Sequence, residues 1–480
     1  MEEKAGGRKK KWKIVLVVLL ALCVAGAAGY LIYGYQVDKD TLGRMLTINR
    51  LEVSKLTVDE AKQKIQQKFQ SREVVFREDG AEVYRTTLQN LGYSLDEAAL
   101  SEQLNAVKRQ RDENRSIIPH KVNFTIGYQT AVDQAKEKTA LAASNFANKE
   151  RTPSVSAAIR YDENAKNFVM VQDVQGNEID EARLLAFTDE TLAKVFPNDL
   201  LGGEIAVNLG VQAYKLPETV VSDDMQKKID SLNIQLKNYR GTKLTYTFGP
   251  ATEVLDNSTT EAWIKIDGEK ISIDEAAAKS YVENLAANYN TIYVPRTFHT
   301  SYGNDVTISG NEYGYRIDQD AELKQLLEDL KSGKEISREP VYDIKGLQRN
   351  GKDDLVGSYI EVSLDNQHLW LYKDGALITE TDIVSGAPTP ERETHRGAFL
   401  IPYKASPFQL TSETYGYNTK VTYWMPFVYG QGLHDATWQS SFGGNRYRSG
   451  AGSHGCVNLP KDQAALIYNT IGAQYPIILY

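Results

Sequence analysis

Ser453-His454-Gly455-Cys456-Val457-Asn458 is the stretch on which the reading of this chain turns. Cys456 follows His454 by two residues and His434 by 22. A thiol attacks a carbonyl as its thiolate, and a neighbouring imidazole can take the proton, so His434 and His454 are both candidate bases. Gly452 and Gly455 permit tight turns that aim backbone N–H groups at one point, as stabilisation of an oxyanion requires. The intervening Asn445-Arg446-Tyr447-Arg448-Ser449-Gly450-Ala451-Gly452 is a Gly/Ser/Arg-rich loop able to close a cleft. One Cys and two His also suit zinc. No Cys-x-x-Cys or His-Glu-x-x-His accompanies them, so neither a metal nor another cofactor is expected. The plain alternative is an inert core cysteine.

Around this stretch the texture is β-rich. Ile360, Val362 and Leu364 alternate with polar residues, Leu369–Tyr372 follows, and Lys373-Asp374-Gly375 makes a hairpin turn. Further strands are expected at Thr381–Val384, Gly397–Pro402, Lys420–Met425 and Ile477–Leu479, with a helix over Lys461–Thr470. Residues 356–480 therefore read as one mostly-β domain.

The other end of the chain is unlike this. Lys4, Arg8, Lys9, Lys10, Lys11 and Lys13 precede 20 uncharged residues, Ile14–Tyr33. That length crosses a bilayer as a helix, and the basic side stays cytoplasmic. Ala25-Gly26-Ala27 resembles a signal-peptide cleavage site, but the apolar run continues beyond it, favouring an uncleaved anchor. The expectation is a cytoplasmic tail 1–13, a transmembrane anchor 14–34 and an extracellular remainder in the cell membrane. Cys23 lies in the anchor, so Cys456 is the one thiol beyond it and has no disulfide partner within the chain. The net charge is −8; past residue 13, 49 Lys and Arg face 61 Asp and Glu, a balance unsuited to nucleic acid.

Between anchor and C-terminal domain runs a loose repeat. Gly92–Asp96, Gly176–Asp180 and Gly314–Asp318, and more loosely Gly268–Asp274, each end on an aspartate placed to cap a helix. Thr57-Val58-Asp59-Glu60 reads as a capping box before a helix presenting Ala61, Ile65 and Phe69. The region divides into two α+β modules, 41–215 and 240–345, separated by a helix over Lys227–Lys237 and an Asn-Tyr-Arg-Gly turn. The whole chain is multi-domain: transmembrane helix, two α+β modules, mostly-β C-terminal domain.

On these residues the C-terminal region resembles the L,D-transpeptidase catalytic domain, the YkuD-like fold. The resemblance rests on His434, an 18-residue spacer and Ser453–Asn458, together with Gln367–Tyr372, Ser385-Gly386 and Thr394-x-x-Gly397-x-Phe399. The family more usually has Thr-Pro-x-Gly at the last element. The modules resemble, less specifically, YoaR-like repeats thought to bind peptidoglycan, best over Tyr161–Val171 and Gly176–Asp180. The architecture resembles that of Gram-positive cell-wall proteins.

The resemblance implies that Cys456 attacks the carbonyl of the third residue of a tetrapeptide stem, D-Ala leaves, and an amine of a neighbouring stem resolves the thioester into a cross-link. His434 is then the expected base, oriented by Asp435 or a backbone carbonyl near Ser453. Gly455 and Cys456 N–H are the expected oxyanion donors. His454 lines the acceptor side, Asn458 fixes the local backbone, and Arg446 or Arg448 meets the donor carboxylate. The implied partners are peptidoglycan stem peptides, with carbapenem β-lactams as inhibitors. The alternative is a non-catalytic wall-binding protein or a hydrolytic L,D-carboxypeptidase. A sortase wants an arginine after its cysteine, and none follows Cys456; an NlpC/P60 peptidase has Cys before His, the reverse order.

Overall fold

In the computed structural model, residues 6–116, 118–127, 129–144, 146 and 149–480 are described. Lys4, part of the expected basic tail, lies outside them. The apolar run forms a helix, Gly6–Asp40, longer than the 14–34 expected. Val15, Leu19, Leu22, Val24 and Ile32 are all exposed. Over residues 14–33 the helix is apolar on every side and exposed throughout, which suits lipid. It is the one helix among the described residues long and apolar enough to cross a membrane.

The chain divides into two compact units: residues 1–158 with 171–222, and 159–170 with 223–480. The strand pair Ala158–Asp162 and Asn167–Val171 lies within the span 41–215 given above to the first module, yet most of it belongs to the second unit. The reason is burial: Phe168 packs with Ile229, Leu232 and Leu236.

The repeat is visible in three dimensions. In the first unit the helix Val58–Gln70 leads into a hairpin, Glu73–Glu78 and Ala81–Thr87, and Ile205–Leu209 joins parallel to the first strand. In the second, Asp223–Gly241 leads into Lys243–Phe248 and Ala251–Leu255, and Glu335–Arg338 joins in the same way. The helix caps are where the sequence puts them. Asp96, Asp180 and Asp318 accept from Ala99, Arg183 and Ala321 N–H at 2.7, 3.0 and 3.0 Å. Asp274 accepts from Ala276 and Ala277, and Thr57 and Glu60 close a reciprocal capping box. The expected turn at Asn238–Gly241 is instead helical, because Tyr239 is drawn into the core.

Eleven elements make the C-terminal domain: β1 (Tyr359–Ser363), β2 (His368–Lys373), β3 (Ala376–Asp382), β4 (Gly397–Ile401), β5 (Phe408–Ser412), β6 (Tyr417–Val421), β7 (Trp424–Val428), β8 (Gln431–Asp435), β9 (Val457–Leu459), α1 (Lys461–Thr470) and β10 (Tyr475–Leu479). One sheet has the order β3-β2-β1-β10-β4; a second is β7-β8-β9, and β5–β6 is a separate hairpin. The two sheets and α1 share one core around Ile360, Leu369, Leu433, Val457, Ile467 and Ile477. β1 is buried on both faces rather than alternating. The hairpin of Arg296–His299 and Asp305–Ile308 places Ser301 against it: Glu361 accepts from Ser301 N (2.8 Å), Ser301 Oγ (2.5 Å) and Tyr480 Oη (2.6 Å). The expected strand over Lys420–Met425 is broken in two. Asp435 Oδ1 takes the N–H groups of Thr422 and Tyr423 at 2.8 Å each, so neither joins a ladder.

Candidate active site

β8 and β9 run parallel with Leu433 opposite Val457 and His434 opposite Asn458. This register sets His434 beside the turn carrying Cys456. Both residues line one cavity of about 480 Å3 with Tyr417, Trp438, Arg446, Ser453, His454 and Asn458 among its walls.

The motif loop is stitched on both sides. Val384 and Asn458 exchange backbone hydrogen bonds at 3.1 and 2.9 Å, and Ser453 N–H donates to Ser385 at 3.0 Å. Ser453 Oγ accepts from Gly455 N–H (3.1 Å) and donates to the Cys456 carbonyl (2.5 Å), closing the turn on itself. Gly455 has φ +107°, and a Cβ there would collide with the Gln431 side chain, so glycine is required twice over. Thr394 Oγ1 donates to the Gly455 carbonyl and accepts from Gly386 N–H, both at 2.9 Å. Gln431 holds the same strand ends by accepting from His395 N–H and donating to the Glu393 carbonyl.

His434 is buried between two indoles, with Trp424 6.0 Å and Trp438 5.8 Å away. Its Nδ1 lies 3.0 Å from the Asp435 carbonyl. A carbonyl only accepts, so Nδ1 carries the proton and Nε2 presents its lone pair. Burial lowers the His434 pKa, and the Asp435 carbonyl and charge offset that only in part. Burial also pushes the Cys456 thiol up to about 11, against a smaller opposing hydrogen bond from the Gly432 backbone. The resting pair is therefore a neutral imidazole and a protonated thiol. His454 stands against Tyr415 (4.3 Å) and Tyr417 (5.4 Å), its pKa lowered by burial and then by the Arg392 charge.

The residues expected from sequence separate here. Cys456, His434, His454, Ser453, Asn458 and Arg446 share the cavity wall. Gly455 shapes the turn behind it. Its N–H is already taken by Ser453, which leaves that of Cys456 from the expected pair of oxyanion donors. Arg448 is exposed and folds onto Tyr447, its Nε 2.6 Å from the phenol oxygen. Asp435 is buried with its carboxylate on the Thr422–Tyr423 turn. It is the Asp435 backbone carbonyl, not the carboxylate, that orients His434. Three buried atoms near the cavity lack a hydrogen-bond partner among the described residues: Arg446 Nε, Asn458 Oδ1 and Trp424 Nε1. The β5–β6 wall, with Leu410, Tyr417 and Thr419, was not singled out in sequence. Its one signal was a tyrosine-rich alternation. Thr394 lay within a quoted element, but without a role.

Residues 357–479 match the L,D-transpeptidase catalytic domain model of the YkuD family, and residues 228–337 match a peptidoglycan binding domain model. No curated protein matches the chain. Among solved structures, the Enterococcus faecium L,D-transpeptidase, as a cysteine-to-serine mutant, is 30% identical across 53% of this chain and 100% of its own, with a TM-score of 0.47. The Ldtfm-avibactam carbamoyl enzyme is also 30% identical, across 53% and 98%, with a TM-score of 0.47. The E. faecium catalytic domain acylated by ertapenem is 39% identical across 26% of this chain and 97% of its own, with a TM-score of 0.24. The domain match at 357–479 and the 30% identity across the whole of that solved chain are matches of sequence, and by them the chain belongs to the L,D-transpeptidase family.

Proposed function

We propose that this enzyme cross-links peptidoglycan through a thioester on Cys456, with His434 as the base. The observation that supports this best is a thiol and an imidazole on one cavity wall, the imidazole with its Nδ1 held by the Asp435 carbonyl so that Nε2 is the atom left to take a proton. The thiol proton passes to His434 Nε2 as Sγ bonds to the carbonyl carbon of the third stem residue. The Cys456 N–H holds the developing oxyanion. The tetrahedral intermediate collapses, the C–N bond breaks, and D-Ala leaves with the proton from the imidazolium. A side-chain amine of a second stem then attacks the thioester, gives its proton to His434 and releases Sγ as the thiol.

Arg446, half-buried with Nε unpaired, is the anchor for the donor's terminal carboxylate. His454 and its two tyrosines form the acceptor wall. Neutral partners suit this chemistry, because charge is created only as the substrate enters and displaces water. The modules, spanning about 41–215 and 240–345, hold the wall polymer near the cavity, and the N-terminal helix anchors the enzyme with its folded part outside a Gram-positive type membrane. The acylation of the E. faecium domain by ertapenem suggests the same reaction here.

Purified enzyme with a disaccharide tetrapeptide tests this. Release of D-Ala and formation of dimer are expected, both lost in Cys456→Ala. Dimer formation by the Cys456→Ala protein would overturn the reading.

A further inference from the structure

A second cavity, of about 650 Å3, lies where the N-terminal helix meets the first module, lined by Tyr30, Tyr33, Arg44, Glu52, Lys55 and Lys121 among others. The chain beyond residue 13 is strongly acidic, yet this end of it is ringed by cations. Lys108 Nζ donates to the carbonyls of Lys39 and Thr41, both at 3.0 Å, and Arg111 donates to the Arg44 carbonyl at 3.0 Å. Arg115 stands over Tyr35 at 5.4 Å. These contacts fix the helix end against the module, so the cavity has defined walls.

Arg44 is the central feature. Its side chain is 8% exposed. Nε and Nη2 donate to the two oxygens of Asp38 at 3.3 and 3.1 Å, which occupies one edge of the guanidinium. The other nitrogen, Nη1, is buried with no hydrogen-bond partner among the described residues. A buried N–H left unpaired costs about 1–3 kcal/mol, and a charged one more, so its retention calls for an acceptor. Gly34 makes this placement possible: any Cβ there would meet the guanidinium. Arg44 also lies over Tyr30 at 5.4 Å, and Lys55 Nζ over Tyr33 at 5.8 Å. The one lining carboxylate, Glu52, accepts from Ser54 N–H at 2.9 Å.

We propose that this cavity binds the phosphate of a lipid headgroup in the leaflet from which the folded chain emerges. Arg44 Nη1 meets the phosphate oxygens, and Lys55 and Lys121 neutralise its charge. Tyr30 and Tyr33 sit at the end of the apolar run, the depth at which aromatic side chains meet headgroups, so the ligand's tail continues along the exposed helix. A free phosphate ion offers the same oxygens but would use nothing of the tyrosine and helix surface.

The test uses the full-length protein in detergent and native mass spectrometry, titrated separately with phosphatidylglycerol, phosphatidylcholine and inorganic phosphate. Phosphatidylglycerol retention is expected to exceed that of phosphatidylcholine by about ten-fold, and the Lys55→Gln/Lys121→Gln variant is expected to lose that difference. Arg44→Gln is expected to do the same. Should it fail to fold, the lysine variant decides, since both lysines are exposed. Equal retention of the two lipids, or a lysine variant that binds phosphatidylglycerol as the parent does, would overturn the proposal. Displacement of phosphatidylglycerol by millimolar inorganic phosphate would overturn the lipid assignment.

Discussion

The second module and the catalytic domain both bury polar side chains, in opposite ways. In the module, Glu322 is fully buried and saturated. It accepts from Tyr246 Oη at 2.5 Å, from Arg338 Nη2 and Nη1 at 2.7 and 2.9 Å, and from Val341 N–H at 2.7 Å. Arg338 spends its remaining edge on Asp329 at 2.8 Å. Every charge there has an answer, which is how a buried ion pair holds one packing against others. Around Cys456 the buried groups are under-used: only Nδ1 of His434 is spent on the Asp435 carbonyl, and Arg446 Nε and Asn458 Oδ1 have no hydrogen-bond partner among the described residues. The satisfied cluster locks a fold; the unsatisfied one leaves polar atoms open to a ligand.

The contrast is sharpest if each cluster is broken in turn. Cys456→Ala should remove cross-linking by roughly 10⁴-fold or more while the thermal midpoint stays where it was, as comparison of turnover and calorimetry will show. His434→Gln keeps a polar ring-sized neighbour but no base, and should cost on the order of 10²–10⁴ in kcat/KM with thiol content unchanged. Glu322→Gln should do the reverse. It leaves Arg338 with Asp329 as its one counter-charge and a neutral amide under the donors that Glu322 served, and should cost about 2–4 kcal/mol in urea unfolding of the chain, with per-molecule activity of the folded fraction retained. Loss of catalysis from Glu322→Gln in protein that is still folded would erase the distinction drawn here.

The pH dependence gives a smaller effect. Burial raises the Cys456 pKa to about 11, so the thiol is protonated at neutral pH and its alkylation by iodoacetamide should still be climbing above about pH 10, where a free cysteine has levelled off. Burial lowers the His434 pKa, so the acid limb of kcat/KM should fall below the ordinary histidine range near 6.5. Smallest is Thr394→Val. Losing the hydroxyl frees the Gly455 carbonyl and Gly386 N–H, and about 1–3 kcal/mol of stability should go with it.

What the sequence revealed followed from what is local. Asp96, Asp180, Asp274 and Asp318 cap helices because a cap is decided within four residues. Lys461–Thr470 is the helix its periodicity describes. Ser453–Asn458 could be singled out because a turn, its glycine and its hydroxyl lie together in the chain. What escaped depended on distant partners. Asp435 cuts the strand at Thr422–Tyr423, and β1 hides its polar face because Ser301 and Tyr480 reach Glu361 from 60 and 119 residues away. Arg446 and Arg448 look equivalent in sequence; a three-residue 3-10 turn sends one to the cavity and the other to Tyr447.

The central claim is that Cys456 is the nucleophile of this family member. Intact-protein mass spectrometry after incubation with ertapenem, followed by peptide mapping, tests it most directly. The account predicts one adduct, on the peptide containing Ser453–Asn458, and none in Cys456→Ala. An adduct on another peptide, or equal labelling of the Cys456→Ala protein, would contradict it.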